Sequence, residues 1–197
     1  MTTPVRLTGL GPVAVLLPVK AFTEAKRRLA PALDPAARAA LAQAMATLVL
    51  ASAAPLPVAV VCDDADVAEW ARDSGALVVW EPERGLNRAV EAGVARLAVA
   101  GARRVIVAHA DLPLALHLGW VGRFLGVTLV PDRLDNGTNA LCVPSDAGFT
   151  FSYGPGSLAR HAAEARRLGL ALRVVREPTL AHDVDVPADL VVAAPLR

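Results

Sequence analysis

The stretch "VIVAHADLPL", residues 105–114, ends an apolar run on one acid, Asp111, and Leu112-Pro113 then turns the chain. A second acidic segment, "HDVDVP" at 182–187, sets Asp183 and Asp185 two residues apart ahead of another proline. Alternate side chains of an extended segment face one side, so these two carboxylates can act together. Two acidic segments that converge can hold Mg2+, with a nucleotide's phosphates supplying further ligands. The plainer reading of Asp111 alone is a cap on the next turn. "PVKAFTEAKRRLAP", 18–31, carries Lys20, Lys26, Arg27 and Arg28 with only Glu24 opposing them. A solvated loop explains such a run; so does a cationic lining for a polyphosphate.

Two glycine-framed turns lie close together. One is Gly137-Thr138-Asn139 and the other Gly154-Pro155-Gly156-Ser157. Both read as turns or as a backbone cradle for phosphate. Gly85 and Asn87 in "ERGLNRA" fit a helix start, with a base-reading amide as the functional alternative. His109, His161 and His182 are read as hydrogen-bonding partners rather than acids or bases. The chain has no GxxxxGK[ST] loop, no GxGxxG after a strand, no zinc spacing and no GxSxG elbow, which disfavours the common kinase, dehydrogenase and hydrolase readings.

These residues need strands and helices to position them. Apolar runs at 13–18, 57–62, 76–80, 104–109, 127–132, 139–143 and 171–175 read as strands. Helices are expected at 65–75, 86–102, 118–126, 157–169 and 187–194. Another starts at Asp34-Pro35, an N-cap followed by a good first helical residue. Ser157 is the expected cap of the 157–169 helix. The alternation predicts an α/β fold with a mostly parallel sheet. Ligands of such sheets bind beyond the carboxyl ends of the strands, where the cationic run, Asp111, Thr138 and Asp183 to Asp185 all fall.

A chain of 197 residues with 54% hydrophobic side chains suits a single domain over 1–197 with a sizeable core. A net charge of +1, without a basic stripe or acidic tail, argues against nucleic acid or a membrane surface as partner. The opening "MTTPVRLTGLGPVAVLLPVKAF" is too briefly apolar for a membrane span and has no signal-cleavage pattern. Cys62 and Cys142 sit in apolar runs and read as reduced buried thiols of a cytoplasmic protein.

Taken in order, "PVKAFTEAKRRLA", "GLNRA", "HADLPL", "PDRLDNGTNAL", "FSYGPGSLARHAAEA" and "HDVDVPADL" resemble the phosphoenolpyruvate and 2-phospho-L-lactate guanylyltransferases of coenzyme F420 biosynthesis. That family belongs to the MobA-like nucleotidyltransferases. The resemblance runs from about Val13 to Leu190. It implies a three-layer Rossmann-like nucleotidyltransferase fold. It also implies a reaction in which GTP and a small phosphorylated three-carbon acid give a guanylylated diphospho-acid and pyrophosphate. By the same resemblance, Asp111, Asp183 and Asp185 match magnesium carboxylates, and Thr138, Gly154 and Ser157 match the acceptor-phosphate site. Lys20 and Lys26 match the basic catalytic loop over the GTP phosphates, and Gly85 and Asn87 the guanosine side. Mg2+ is the implied cofactor and GTP the co-substrate.

Asp135 stands where many relatives carry a neutral residue, and the segment between "HADLPL" and "PDR" is short. "LLPVKAF" replaces the glycine-rich loop that molybdenum-cofactor and sugar-phosphate relatives carry after the first strand, which favours the F420 branch. Phosphoenolpyruvate is the first expected acceptor, before 2-phospho-L-lactate and 3-phospho-D-glycerate. A non-catalytic nucleotide-binding regulator is the remoter alternative. Handover of an unstable product to the next pathway enzyme and a homodimer are further expectations.

Overall fold

The computed structural model describes residues 10–82 and 85–196. Glu83 and Arg84 of the "ERGLNRA" segment lie outside the described residues. Seven strands form one sheet in the order β3-β2-β1-β4-β6-β5-β7. They are β1 Val13–Pro18, β2 Val58–Cys62, β3 Leu77–Trp80, β4 Arg104–Ala108, β5 Val127–Pro131, β6 Thr138–Pro144 and β7 Leu172–Val174. The helices are α1 Pro35–Ser52, α2 Ala65–Asp73, α3 Leu86–Val99, α4 Ser157–Arg167 and the single turn α5 Pro178–Ala181.

The strand residues divide between two faces, as the period of an extended chain requires. Val15 and Leu17 of β1 point to a core shared with Ala46 and Val49 of α1 and Val67 and Trp70 of α2. Ala14 and Leu16 point the other way, to a core with Val90, Val94 and Leu97 of α3 and Ala162 and Ala165 of α4. Helices therefore cover both faces, which makes the fold three-layered and explains the near-continuous apolar strands. Asp34 caps α1 by accepting the Ala37 N–H at 2.8 Å, with Pro35 as the first helical residue.

β6 is the exception to the parallel sheet: it runs antiparallel to both β4 and β5. The 132–137 connection is too short for the crossover that a parallel neighbour needs. Asp132 organises that turn by accepting the N–H groups of Leu134, Asn136 and Gly137. The reversal puts the first residue of β6, Thr138, at the edge where β4 ends.

Several local expectations change. The 118–126 helix is a 3-10 turn over Leu118–Arg123, and the 187–194 helix is a 3-10 turn over Pro187–Val191 followed by another over Ala194–Leu196. Gly156, with φ +76°, occupies the N-cap of α4, so Ser157 is the first helical residue and not the cap. Gly85 is the N-cap of α3, at φ +127°, and Asn87 makes no cap. The short α5 has no counterpart in the sequence reading, because one turn is too brief to show a helical period. No helix of the described residues is long and apolar enough to cross a membrane.

Gly126 marks the tightest approach in the frame. The Val127 N–H donates to the Ala171 carbonyl at 2.7 Å, pairing the start of β5 with the approach to β7. A Cβ on Gly126 would overlap that same carbonyl group, which backbone pairing holds in place. Gly126→Ala is expected to cost about 3 kcal/mol, read as a melting temperature lower by roughly 10 °C. Gly93→Ala, where a Cβ meets only the movable Leu16 side chain, should lower it less. A Gly126→Ala protein that melts with the parent would show that the approach can relax.

Candidate active site

Three segments meet at the carboxyl edge of the sheet. After β1 the chain passes Lys20 and makes two 3-10 turns, Phe22–Glu24 and Arg27–Leu29, with Lys26 between them. After β4 comes His109-Ala110-Asp111. The 182–186 segment is tied to Asp111 by the Val184 N–H, which donates to the Asp111 carbonyl at 3.3 Å. Leu29 and Val184 are both fully buried, in one small core with Leu41, Met45 and Leu190. That core fixes the cationic loop and the acidic segment against each other.

The result is a compact charge knot. Lys26 Nζ donates to Asp111 Oδ2 at 2.5 Å and to Asp185 Oδ1 at 3.2 Å. The Lys26 side chain is 10% exposed, whereas Lys20 is exposed. The Arg28 guanidinium lies 3.7 Å from Asp185 and is largely solvated. Burial works against the Lys26 ammonium, but Asp111 and Asp185 outweigh it and hold its pKa above the ordinary lysine value. Burial likewise works against the Asp111 carboxylate, and Lys26 with His109 brings its pKa below the ordinary range. Asp183 moves the other way: burial and then the Asp111 charge push it up. Val184 is buried between Asp183 and Asp185, and of the two acids it is Asp185 that bonds Lys26.

A cleft of about 660 Å3 opens on this knot, within the usual size range of small-molecule pockets. Lys20, Lys26, Arg28, Asp111, Asp185 and Gly85 all contribute to its wall. Among the described residues no group of three or more His, Cys, Asp or Glu side chains converges as a metal cage. Lys26 stands between two of the three expected carboxylates. Asp111 Oδ1 is nevertheless buried without a hydrogen-bond partner, and an all-carboxylate donor set suits a hard cation such as Mg2+.

The acceptor residues of the sequence reading gather a little apart from this wall. Ser157 Oγ donates to Thr138 Oγ1 at 3.3 Å, and both side chains are buried. His161, fully buried, joins them. Its Nε2 accepts the Ser152 N–H at 3.0 Å, which leaves the proton on Nδ1 to donate to Thr138 Oγ1 at 3.1 Å. The two hydroxyls are thus engaged with protein groups. Two amides of the α4 N-terminus are also taken: Ser157 N–H by the Gly154 carbonyl and Leu158 N–H by the Asn136 carbonyl. Gly154, at φ +110°, and Pro155 are exposed. Asn87 does not reach the cleft wall; its Oδ1 accepts the Tyr153 N–H at 2.6 Å and ties α3 to this loop. Asp135 turns to Arg176 at 2.9 Å and is half exposed, so its charge is compensated at the surface.

The sequence reading missed two supporting residues. Asp189 Oδ2 accepts the N–H groups of Asp185 and Val186, both at 2.9 Å, while its Oδ1 takes Arg133 at 2.8 Å. It braces the segment that presents Asp185. The signal was present as an acid at the third position of the turn that Pro187 begins, the place from which a side chain reaches back to the cap at Val186. Arg160 is the other. Its guanidinium donates to the carbonyls of Ser152, Gly154 and Pro155 and wraps the exposed turn.

His161 carries a pH signature. Burial is the main reason that its pKa falls to about 4 from the ordinary histidine value of 6.5. The unfolded chain then binds the extra proton first, so stability is full above pH 6.5 and declines as pH falls toward 4. The whole loss amounts to about 3 kcal/mol. Urea unfolding at pH 7, 5.5 and 4.5 should show this decline, and His161→Gln should flatten it. An unchanged slope in the variant would mean that other groups set the acid limb.

The family described as "Guanylyl transferase CofC like" matches residues 13–193. The phosphoenolpyruvate guanylyltransferase of Rubrobacter xylanophilus is 38% identical over 187 residues, covering 90% of this chain and 91% of the relative. The enzyme of the same name from Sphaerobacter thermophilus is 37% identical, covering 89% of each chain. Among solved structures, a nucleotidyl transferase from Methanothermobacter superposes with a TM-score of 0.68 at 18% identity, over 93% of this chain and 97% of that one, a likeness of fold. The chain is a nucleotidyltransferase, and with a match along almost its whole length it belongs to the CofC-like guanylyl transferase family.

Proposed function

We propose that this chain moves GMP from GTP to the phosphate of phosphoenolpyruvate, giving enolpyruvyl-diphospho-guanosine and pyrophosphate in coenzyme F420 biosynthesis. The names of its relatives support the substrate pair. The observation that carries the reading is the Asp111–Lys26–Asp185 knot at the mouth of a cleft with further cations on its wall.

The nucleophile is an acceptor phosphate oxygen. A phosphate monoester has a second pKa of about 6, so it is already ionised at neutral pH and needs no general base. That oxygen forms a bond to the α-phosphorus of GTP, the α–β anhydride bond breaks, and pyrophosphate leaves with the electron pair. Repulsion between two anions is the main obstacle. Lys20, Lys26 and Arg28 supply positive charge on the side where the triphosphate would lie. Asp111 and Asp185, with Asp183 nearby, would hold Mg2+, which when bound offsets phosphate charge and stabilises the leaving pyrophosphate. His161 takes no part as a base, since it is buried, neutral and doubly hydrogen-bonded.

For the acceptor side, the reading rests on Thr138, Gly154 and Ser157. The exposed Gly154 turn would face the acid, and the buried Thr138–Ser157 pair would anchor that turn. Gly85 borders the cleft on the guanosine side, and Asn87 contributes by holding Tyr153. A cytoplasmic setting fits the free, buried thiols of Cys62 and Cys142. Handover of a labile product to the next enzyme of the pathway and a homodimer belong to the same proposal.

A pyrophosphate-release assay with GTP or ATP and each of three acids tests the substrate pair. GTP with phosphoenolpyruvate should be fastest, and the product mass should equal that of enolpyruvyl-diphospho-guanosine. A clear preference for 2-phospho-L-lactate or 3-phospho-D-glycerate would reassign the acceptor, and no release with any acid would favour the regulator.

Asp111→Asn and Asp185→Asn should each fold and lose nearly all turnover, because an amide is a poorer Mg2+ ligand than a carboxylate. Near-normal rates in both at saturating Mg2+ would remove the metal role. Gly154→Val should raise the KM for the acid while GTP binding stays close to the parent. Its melting curve must accompany the assay, because φ +110° already disfavours a side chain there. Loss of GTP binding with an unchanged KM for the acid would reverse the two pockets.

A further inference from the structure

We infer that Lys26 is a built-in counter-cation that keeps the Asp111–Asp185 site closed to free divalent metal until a nucleotide arrives. The inference rests on the metal role proposed for those carboxylates and adds an order of binding to it. Asp111 and Asp185 come from separate segments and face the same point, where two negative charges without a cation would repel. Lys26 Nζ occupies that point, bonded to one oxygen of each. The contact is built into the backbone. Lys26 adopts the left-handed conformation, φ +54°, which side-chain-bearing residues seldom take. Buried Ala25 on one side and Leu29 on the other hold it there. Arg28, by contrast, reaches Asp185 only loosely from solvent.

A divalent ion that bridged the two carboxylates would lie against the Lys26 ammonium, which already holds one oxygen of each, and the two cations would repel. Free Mg2+ loses its hydration shell reluctantly, and here it would also have to break two charged hydrogen bonds and strand a mostly buried ammonium. A triphosphate changes that balance. It offers the Lys26 ammonium new oxygen acceptors, and the lysine's flexible stem allows it to swing without refolding the loop. Metal and nucleotide therefore bind cooperatively, each raising the affinity for the other by the same factor. The three N–H donors of the ammonium suit this exchange, because two hold the carboxylates and one is left to meet an incoming phosphate.

Mn2+ binding, read from the electron paramagnetic resonance of the free ion, tests this without turnover. The proteins are the parent, Lys26→Met, Lys26→Gln and Asp111→Asn, with and without α,β-methylene-GTP at constant pH and ionic strength. Lys26→Gln keeps a hydrogen-bonding side chain and serves if Lys26→Met does not fold. Without nucleotide, loss of the lysine charge should tighten Mn2+ binding by about tenfold or more, and the analogue should shrink that gap by tightening the parent. If the lysine variants bind Mn2+ no better than the parent without nucleotide, while Asp111→Asn abolishes binding with it, the metal site stands and the gating role is wrong. If Asp111→Asn binds Mn2+ as the parent does in the presence of the analogue, the metal role itself falls and the inference with it.

Discussion

Everything at the carboxyl edge depends on holding Asp111 and Asp185 within reach of one cation. Like charges on two separate segments drive those segments apart, so the fold has to supply a restraint and a counter-charge. The restraint is apolar. Leu29 and Val184 share a small core with Leu41 and Met45 of α1, and that core lies directly behind the charged residues. The counter-charge is Lys26. Neither works without the other: packing alone would leave two facing carboxylates, and an ion pair open to solvent would be worth little. Asp189 adds a third restraint, spending one oxygen on the amides of Asp185 and Val186 and the other on Arg133. Arg133 in turn gives its N–H to the Ala181 carbonyl, so the acidic segment is clamped to the loop after β5.

The antiparallel β6 has a comparable role for the second half of the site. Had the chain continued with a parallel strand, Thr138 would lie at the far edge of the sheet, away from Asp111. Asp132 prevents this by folding 132–137 into a tight turn, with Gly137 leaving room where a Cβ would meet the Asp132 carboxylate. The His109 N–H then pairs with the Asn139 carbonyl, carrying the β4–β6 pairing right up to the site. The Asn139 side chain, itself buried, donates to the Leu180 carbonyl and fixes the short α5 that leads into the acidic segment.

The strands and long helices could be read from the sequence because a strand buried on both faces is a run of apolar residues and a capped helix announces itself. Asp34-Pro35 did so for α1, and the apolar run into Asp111 did so for β4. Leu118–Arg123 was misjudged because a 3-10 turn shares apolar spacing with a weak helix over so few residues. The place of Asp111 was legible for a topological reason: it follows β4, which ends at the carboxyl edge of the sheet, whereas Asp183 and Asp185, read as following a strand, follow the single turn α5. The mutual contacts of the site residues were not. Lys26 and Asp185 are far apart in sequence, and no local pattern shows that the lysine, rather than a metal alone, can stand between the acids. Thr138 and Ser157, read as parts of one phosphate pocket, do lie side by side, yet the sequence could not reveal that Ser157 would donate to Thr138 inside the protein. Burial of a polar side chain depends on what packs above it, here Phe149, Phe151 and Tyr153 around His161.

That burial changes how the exposed turn can meet an anion. Arg160 gathers the carbonyls of Ser152, Gly154 and Pro155 to one side. A trans peptide directs its N–H opposite its C=O, so the Gly156 amide, which shares a peptide plane with the Pro155 carbonyl, is turned away from the guanidinium. Tyr153 N–H, opposite the Ser152 carbonyl, is used by Asn87. Pro155 has no N–H to offer. In the proposed acceptor pocket the Gly156 amide is therefore the backbone donor this arrangement leaves at the exposed turn, oriented by an arginine that binds carbonyl oxygens, with Thr138, Ser157 and His161 forming the support. Glycine at 154 and 156 follows from the same arrangement: both residues have positive φ, and a Cβ on Gly156 would press on the Arg160 guanidinium that sets the turn.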